Sequence, residues 1–371
     1  MEKTRLVIIG GFLGAGKTTL LRELAGGAAK DTGVPAGLIT NDQAAGLADT
    51  ILLRGAGNAV EEVSGSCFCC NFGGFKAAFE SLRAAGAGLV IAEPVGSCTD
   101  LAATVIRPAV EKLGAAVLPL SVLADPAKLG MLLAGESGGF HTSAVYIMKK
   151  QLEEADYILI NKIDTLTEEE TEGLVLKTRR AFPEANVYAV SALRGTGVRE
   201  WFAAMLADER AGKQIISVDY DTYAEGEAAL GWLNADIALR CRDGRDWKAF
   251  LFSYLSNLKE NLDKLDAAIG HVKSLVSGGD GFFIAGNVTG RNAAPAIQGD
   301  AACSAEARFV LNARAEMAPE KLEALCLHIL ETSCGASVQY RIETLKSLKP
   351  GRPNPTFRYT AKQPQRSGCG A

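Results

Sequence analysis

Short apolar runs recur along residues 1–205 and alternate with segments of helical spacing. Continuous apolar runs of this length are typical of strands buried on both faces of a parallel sheet. The predicted strands cover 5–10, 36–40, 59–63, 88–92, 116–123, 156–161 and 187–190. Between them lie helical patterns such as 168–182, which Pro183 ends. This order predicts an α/β fold with a doubly wound, mostly parallel sheet.

A different order of elements follows residue 230. The predicted elements are a strand at 235–241, a long helix at 247–276, strands at 281–288 and 305–315, a helix at 319–334 and a strand at 338–345. This βαββαβ order is typical of a smaller, four-stranded, ferredoxin-like α+β domain. We therefore expect domains at 1–205 and 231–348, a polar linker at 206–230, and an extended or disordered tail at 349–371.

Composition narrows the class of protein. The chain has 371 residues, of which 48% are hydrophobic and 22% charged, as in soluble globular proteins. The net charge of −4 gives no sign of a nucleic-acid or membrane-surface partner. No apolar run approaches the roughly 18 residues of a membrane span, and Met1 leads directly into a strand, which leaves no room for a signal peptide. We expect a cytoplasmic protein.

The segment after the first strand matches the phosphate-loop pattern G-x-x-x-x-G-K-[ST]. Its strand–loop–helix context is the one that this motif requires. The glycines allow backbone N–H groups to surround phosphate oxygens, Lys17 would reach the β- and γ-phosphates, and the Thr18 hydroxyl would hold Mg²⁺. The residues expected to bind nucleotide here are Gly11, Gly14, Ala15, Gly16, Lys17, Thr18 and Thr19. The motif predicts a P-loop nucleotide-binding domain.

Glu93-Pro94-Val95-Gly96 follows the apolar strand at 88–92. Phosphate-loop enzymes place their acidic, Mg²⁺-linked residue after such a strand, although a glutamate there can also be only a charge that leads a helix. We assign Glu93 a catalytic role with Lys17 and Thr18, and expect Gly96 to contact the nucleotide. Ser97 stands where related enzymes carry a water-positioning Gln, so hydrolysis should be slow without a partner or metal.

Asn161-Lys162-Ile163-Asp164 ends the strand at 156–161. A carboxylate at Asp164 can accept two parallel N–H bonds from guanine, a donor pair that adenine lacks, and such paired contacts discriminate strongly between bases. Ser191-Ala192-Leu193 follows the next strand, where GTPases place a backbone contact to the base. Together these residues predict GTP and GDP as the nucleotides.

Three of the nine cysteines lie within four residues, at Cys67, Cys69 and Cys70. In a reducing compartment such a cluster favours a metal site over disulfides. Thiolates suit Zn²⁺ and other borderline metals. The alternative is a buried apolar trio, because free cysteine is often a small core residue.

These motifs together resemble the CobW-type metal-linked GTPases, which are related to the UreG and HypB nickel-insertion GTPases. The resemblance is specific over about 1–200 and looser over 230–347. It implies that Cys67, Cys69 and Cys70 bind Zn²⁺ or Co²⁺ under nucleotide control. By spacing from the second strand, it also implies that Asp42 supplies an oxygen to that metal and that Asp49 faces Mg²⁺. Ser66, Asn71 and a missing His-rich stretch depart from the family pattern.

The resulting hypothesis is a Mg²⁺-dependent GTPase that acts as a metallochaperone or maturation factor. Its partner would be a client metalloprotein or a corrinoid-pathway protein, and a homodimer is a further expectation. Two other classes stay open: a nucleotide-gated docking protein with structural cysteines, and a small-molecule kinase. Metal binding insensitive to nucleotide would favour the docking protein, and a preference for ATP would favour the kinase.

Overall fold

A computed structural model describes residues 3–27, 32–42, 48–55, 57–208, 211–212, 214–279, 281–291 and 293–360. Residues 5–208 contain a parallel sheet covered by helices, and residues 231–348 contain a second, antiparallel sheet.

The first sheet consists of parallel strands whose order is β3-β2-β4-β1-β6-β7-β8. These strands are β1 (Arg5–Gly11), β2 (Ala36–Asp42), β3 (Ala59–Ser64), β4 (Leu89–Glu93), β6 (Ser121–Ala124), β7 (Tyr157–Ile160) and β8 (Asn186–Ala189), while the short β5 (Ala116–Val117) pairs with β1. Every residue of β4, β6 and β7 is buried, as the continuous apolar runs predict. The α/β fold with a parallel sheet is confirmed.

The helices of this part are α1 (Lys17–Gly26), α2 (Ala48–Gly55), α3 (Phe72–Ala84), α4 (Arg107–Lys112), α5 (Pro126–Leu133), α6 (Thr142–Glu153), α7 (Glu168–Ala181) and α8 (Val198–Leu206). Helix α7 corresponds to the predicted helix at 168–182. A capping box formed by Thr167 and Glu170 stabilises its start. A π-helical turn at Ala102–Ile106 precedes α4.

The predicted strand at 116–123 is wrong as a single element. It is divided into β5 and β6, which pair with opposite ends of β1. Pro119 lies between them and has no N–H to donate, so it interrupts the ladder.

The second sheet is antiparallel and has the order β12-β11-β10-β13-β9-β14. Its strands are β9 (Gly231–Asp246), β10 (Ile269–Ser277), β11 (Phe283–Val288), β12 (Ala296–Gln298), β13 (Cys303–Ala315) and β14 (Val338–Leu348). Helices α10 (Trp247–Lys264) and α11 (Pro319–Cys334) pack against it. The order β10-β13-β9-β14 is ferredoxin-like, and β11 and β12 extend it from four strands to six.

The predicted helix at 247–276 is also wrong beyond residue 264. Two backbone bonds close the end of α10: Asp266 N–H to Asp263 O at 3.1 Å, and Ala267 N–H to Leu262 O at 3.0 Å. This is a Schellman motif in which Asp266, at φ 57°, takes the left-handed position that glycine usually occupies. Without a glycine, the sequence gives little sign of the stop, and the strand β10 that follows was missed.

The segment expected as a linker contains helix α9 (Tyr220–Ala228), which packs on the first part of the chain. The backbone N–H of Thr99 donates to the Tyr223 hydroxyl at 3.2 Å, and Ser97 Oγ donates to the buried Glu227 at 2.5 Å. The C-terminal part of this polar segment is therefore an integral part of the fold.

Residues 349–360 have no regular secondary structure and extend along the first part of the chain. Tyr359 N–H donates to Ala103 O at 3.0 Å, and Arg358 Nε donates to Asp100 Oδ2 at 2.6 Å. The rest of the predicted tail, including Cys369, lies outside the described residues. Within the described part, no helix is long and apolar enough to cross a membrane.

We expect Arg358→Ala to lower the free energy of unfolding by about 1–3 kcal/mol, because it leaves a buried charged group without its charged partner. The Asp100 side chain is fully buried, and it also accepts a hydrogen bond from the Tyr220 hydroxyl at 2.8 Å. Urea unfolding would measure the loss. Arg341→Ala is the control, because its ion pair with Glu343 is exposed and should change stability by no more than about 0.5 kcal/mol. Equal losses in the two variants would contradict this account.

Candidate functional site

The loop between β1 and α1 requires glycine at specific places. Gly11, Gly14 and Gly16 have φ values of 131°, 79° and 99°, which side chains rarely adopt. A Cβ on Gly11 would lie 2.4 Å from Leu123 O, and one on Gly16 would lie 2.3 Å from Asn161 Nδ2. The loop therefore presses its backbone against neighbouring strand ends and leads into the N-terminus of α1, which is a natural anion site.

The three residues assigned catalytic roles lie together. Lys17 Nζ donates to Gly11 O at 2.8 Å and lies 3.9 Å from Glu93 Oε1. The Thr18 hydroxyl donates to Glu93 Oε2 at 3.0 Å. A hydroxyl and a carboxylate in contact at the start of α1 form an oxygen pair suited to Mg²⁺, directly or through water.

Gly96 and Thr19 line the same cleft as this trio. A Cβ on Gly96 would lie 2.7 Å from Leu13 Cδ2 and 3.1 Å from Lys17 Nζ, so the backbone approaches the phosphate loop closely there. The segment after β4 can therefore respond to whatever occupies the loop.

Asn161 connects the phosphate loop to the predicted base-binding loop. Its Nδ2 donates to Ala15 O at 2.8 Å, and its Oδ1 accepts from Ala192 N at 2.9 Å. Ser191 Oγ donates to Asp164 Oδ1 at 2.5 Å, which holds an exposed carboxylate in place. The predicted base residues are thus brought together, with Leu193 exposed beside them.

Lys162 takes the left-handed conformation, at φ 62°. Its ammonium pairs with Asp125 at 2.6 Å and lies 3.3 Å from Thr289 Oγ1. Burial would raise the pKa of Asp125, but Lys162 and Lys128 outweigh it and lower that pKa.

The second sheet closes the cleft over the phosphate loop. Lys273 Nζ, from β10, donates to Thr18 Oγ1 at 3.0 Å. Lys128 Nζ, from α5, joins the two parts by donating to Leu13 O at 2.7 Å and Gly270 O at 3.0 Å. Other lining residues from the second sheet are His271, Asn287, Thr289, Asn312 and Arg314.

Several basic side chains lie close together in the buried cleft, and burial together with this crowding lowers the pKa values of Lys128 and His271. Burial, reinforced by Lys162 and Lys17, lowers the pKa of Lys128 to about 7. Burial, followed by Lys273 and Arg314, also holds the pKa of His271 well below its usual range, so the ring is neutral. Crowded cations in a buried cleft attract a polyanion, which offsets their mutual repulsion.

The three predicted cysteines form a single cluster in the loop between β3 and α3. Cys67 Sγ lies 2.9 Å from Cys69 Sγ, which lies 3.8 Å from Cys70 Sγ, and all three lie within 4.8 Å of one another. Two sulfurs bound to one tetrahedral zinc, at about 2.3 Å each, are separated by about 3.8 Å. The loop curls through bonds from Cys70 N and Asn71 N to Cys67 O. The Cys69–Cys70 separation equals this value, whereas the Cys67–Cys69 separation must widen by about 0.9 Å for one metal ion to bind all three sulfurs.

The Asn41 side chain, at the end of β2, ties the cysteine loop to the cleft. Its Nδ2 donates to Val63 O and Ser66 O, both at 2.8 Å, and its Oδ1 accepts from Phe68 N at 2.9 Å. Asn41 also lines the cleft. The same side chain therefore touches both candidate sites.

Residues 5–189 match the family model described as "CobW/HypB/UreG, nucleotide-binding domain". These residues form a CobW/HypB/UreG nucleotide-binding domain. No curated protein matches this chain.

Solved structures similar to this chain include relatives of that domain. HypB from Helicobacter pylori in complex with nickel has 20% identity and a TM-score of 0.41, and the match covers 59% of this chain and 91% of that chain. Zn(II)-bound YjiA GTPase from E. coli has 13% identity and a TM-score of 0.36, over 89% of this chain and 99% of that chain. Because both scores are below 0.5, the assignment rests on the family match and the described fold.

Close packing gives the thiols of the CobW/HypB/UreG domain unequal acidity. Hydrogen bonds from Cys69, Cys70 and then Cys98 lower the pKa of Cys67. Hydrogen bonding to Cys67 raises the pKa of Cys69 well above its usual range and that of Cys70 to about 11. The arrangement favours one thiolate, at Cys67, so a metal that binds all the sulfurs must displace protons.

The C-terminal segment covers one side of the cysteine loop. Asn354 N–H donates to Cys70 Sγ at 3.2 Å, and Thr356 N–H donates to Cys69 O at 2.8 Å. Phe357 packs edge-on against Phe72, with ring centroids 5.4 Å apart. Asp42 and Asp49, the carboxylates that the resemblance implies, have side chains outside the described part of the chain.

Three residues near these sites were not predicted from the sequence: Lys273, Lys128 and Cys98. Lys273 lies on the strand predicted as helix, and Lys128 lies in an ordinary helix, so neither had a signal. Cys98 had one, since it follows the Glu93–Gly96 motif by two residues.

The pH dependence of the free energy of unfolding should reflect the protonation of the Glu227 carboxyl. Burial raises its pKa to about 8, opposed by the Ser97 hydrogen bond and reinforced by Cys67. Because this folded-state pKa lies above the unfolded value, folding favours the protonated form. The free energy of unfolding should therefore fall as pH rises from about 4.5 to 8, by on the order of 1 kcal/mol per pH unit for this group. Glu227→Gln should make that decline shallower in urea unfolding between pH 5 and 8. Glu169→Gln, on the exposed face of α7, should leave it unchanged, and identical slopes in both variants would contradict the assignment.

Proposed function

We propose that this protein is a Mg²⁺-dependent GTPase that binds a thiophilic metal ion, Zn²⁺ or Co²⁺, and releases it to a client protein under nucleotide control. The metal is cargo at Cys67, Cys69 and Cys70, and GTP or GDP occupies the cleft between the two sheets. The observation that carries the proposal is Asn41, whose side chain lines that cleft and holds the cysteine loop.

The cleft suits a nucleoside triphosphate. The glycine loop and the N-terminus of α1 would receive the phosphates, with Lys17 as a point charge on them. Thr18 and Glu93 would hold Mg²⁺, which neutralises the charge developing on the phosphates. Lys273 brings a further positive charge to the Thr18 hydroxyl. Ser97 already donates its hydroxyl to Glu227, so it is not placed to orient water, which supports slow intrinsic hydrolysis.

Control of the metal follows from shared contacts. A γ-phosphate bound by Lys17 would shift the backbone at Gly96, which lies close to the Lys17 ammonium. A movement of the cleft wall would shift the Asn41 side chain, which lines it. Either movement reaches the cysteine loop through hydrogen bonds already present. This is the type of segment ordering by which other GTPases read their nucleotide.

Two variants separate base recognition from phosphate binding. Asp164→Ala should weaken GTP binding by about tenfold to a hundredfold and leave ATP binding unchanged, because two charge-assisted bonds to guanine are lost. Lys17→Ala should weaken both nucleotides and abolish hydrolysis. Titration calorimetry with GTP and ATP would measure this. If the unmodified protein binds ATP as tightly as GTP, the GTPase assignment fails and a kinase becomes the better reading.

Metal titration in the GTP, GDP and nucleotide-free states tests the coupling. We expect tighter metal binding with GTP than with GDP, by about 5- to 150-fold, and by linkage the metal should raise GTP affinity relative to GDP by the same factor. Thiolate absorption and chelator competition would report the affinities. Cys69→Ser should remove the metal and the coupling but preserve GTP binding. Cys326→Ser, at a buried cysteine of α11, should change neither metal binding nor the coupling. Equal metal affinity in all three states would favour a docking protein with structural cysteines.

A further inference from the structure

Cys98 lies against the cysteine cluster although it comes from a different loop. Its thiol interacts with those of Cys67 and Cys69, although its sulfur is not among the three that all lie within 4.8 Å of one another, and its side chain is 1% exposed. The Cys98 backbone is fixed on both sides, since its N–H donates to Val95 O at 2.9 Å and its carbonyl accepts from Gln151 Nε2 at 2.8 Å. The backbone of this fourth cysteine is therefore held near Cys67 and Cys69 by the fold itself.

A tetrahedral metal site with three protein ligands keeps one position open for water or substrate, whereas a closed site has four. Here the surroundings leave little access for water. Cys67 and Cys69 are 6% and 2% exposed, and residues 354–357 cover the side on which Cys70 lies. Cys98 offers a further sulfur that interacts with Cys67 and Cys69.

We propose that Cys98 is the fourth ligand, so that the closed form of this protein holds its metal ion in a site of four thiolates. This inference rests on the proposed metal binding at Cys67, Cys69 and Cys70 and makes the coordination specific. Four soft sulfurs select Zn²⁺ or a similar thiophilic ion over oxygen-loving cations.

The position of Cys98 links the metal to the nucleotide through the backbone. Cys98 is two residues after Gly96 and five after Glu93. Residues 93–100 are all buried, and their side chains are anchored by α6 and α9 through Glu154 and Glu227. A γ-phosphate that holds Glu93 and Gly96 in place would therefore also hold one of the four sulfurs, and hydrolysis would let that sulfur withdraw. Loss of that sulfur would open the site for transfer.

The charge of the site is compatible with burial. Four thiolates around a divalent ion carry a net charge of −2, which needs N–H donors nearby. Asn354 N–H already donates to Cys70 Sγ. Glu227 accepts a hydrogen bond from Ser97, the residue before Cys98. Burial raises the pKa of Glu227 to about 8, so this carboxyl adds little negative charge near the site at neutral pH.

Zinc K-edge X-ray absorption on the full chain, loaded with Zn²⁺ and a non-hydrolysable GTP analogue, would count the sulfurs directly. We expect four sulfurs at about 2.3 Å in the unmodified protein. Cys98→Ser should give three sulfurs and one oxygen or nitrogen, with Zn²⁺ affinity at least tenfold weaker in chelator competition. Cys326→Ser is the matched control, because that thiol is equally buried but lies on α11, which packs against the second sheet, and this variant should keep four sulfurs.

Three sulfurs in the unmodified protein, or four sulfurs in Cys98→Ser, would overturn the inference. If Cys98→Ser does not fold, the sulfur count of the unmodified protein decides alone. Zinc bound through three sulfurs would leave the proposed function standing and remove only this inference. A protein that retains no zinc would end both.

Discussion

The parallel pairing of β1, β2, β3 and β4 places the carboxyl ends of these strands at one edge of the sheet, and both candidate sites depend on this constraint. The phosphate loop follows β1, Asn41 ends β2, the cysteine loop follows β3, and Glu93 ends β4. Two asparagines connect these loops: Asn161 reaches back to Ala15, and Asn41 reaches across to Ser66 and Phe68. Because an amide both donates and accepts, each asparagine can hold two loops in a fixed relation.

The second sheet forms a wall of the cleft and also changes its electrostatics. It supplies Lys273 and Arg314, and it shields Lys128, whose ammonium is enclosed between Leu13 and Gly270. Burying cations beside one another is unfavourable unless an anion balances them. A nucleotide would therefore stabilise the contact between the two sheets as well as occupy the loop. Two carboxylates also lie among these cations: Asp125 pairs with Lys162, and Glu93 lies 3.9 Å from Lys17.

Local patterns predicted the first sheet well because its strands are continuous apolar runs and its loops carry motifs with fixed spacing. The wrong predictions lie where a break interrupts an otherwise continuous apolar pattern. Pro119 divided a predicted strand, and Asp266 ended a helix in a conformation that glycine usually marks. The meeting of Lys273 with Thr18, and of Cys98 with Cys67, depends on long-range packing, which no local pattern encodes. The motif residues could therefore be found from sequence, but their partners required the fold.

The segment at 354–357 is separated from the cysteines that it covers by 284 residues of chain, counted from Cys70 to Asn354. At about 5–20 residues per second, a ribosome takes roughly 15–60 s to make that interval. During this time the β3–α3 loop can fold with its sheet while the side occupied by Cys70 is still uncovered. The order of synthesis thus gives the nascent protein a period in which an ion can enter before the last part of the chain closes over it.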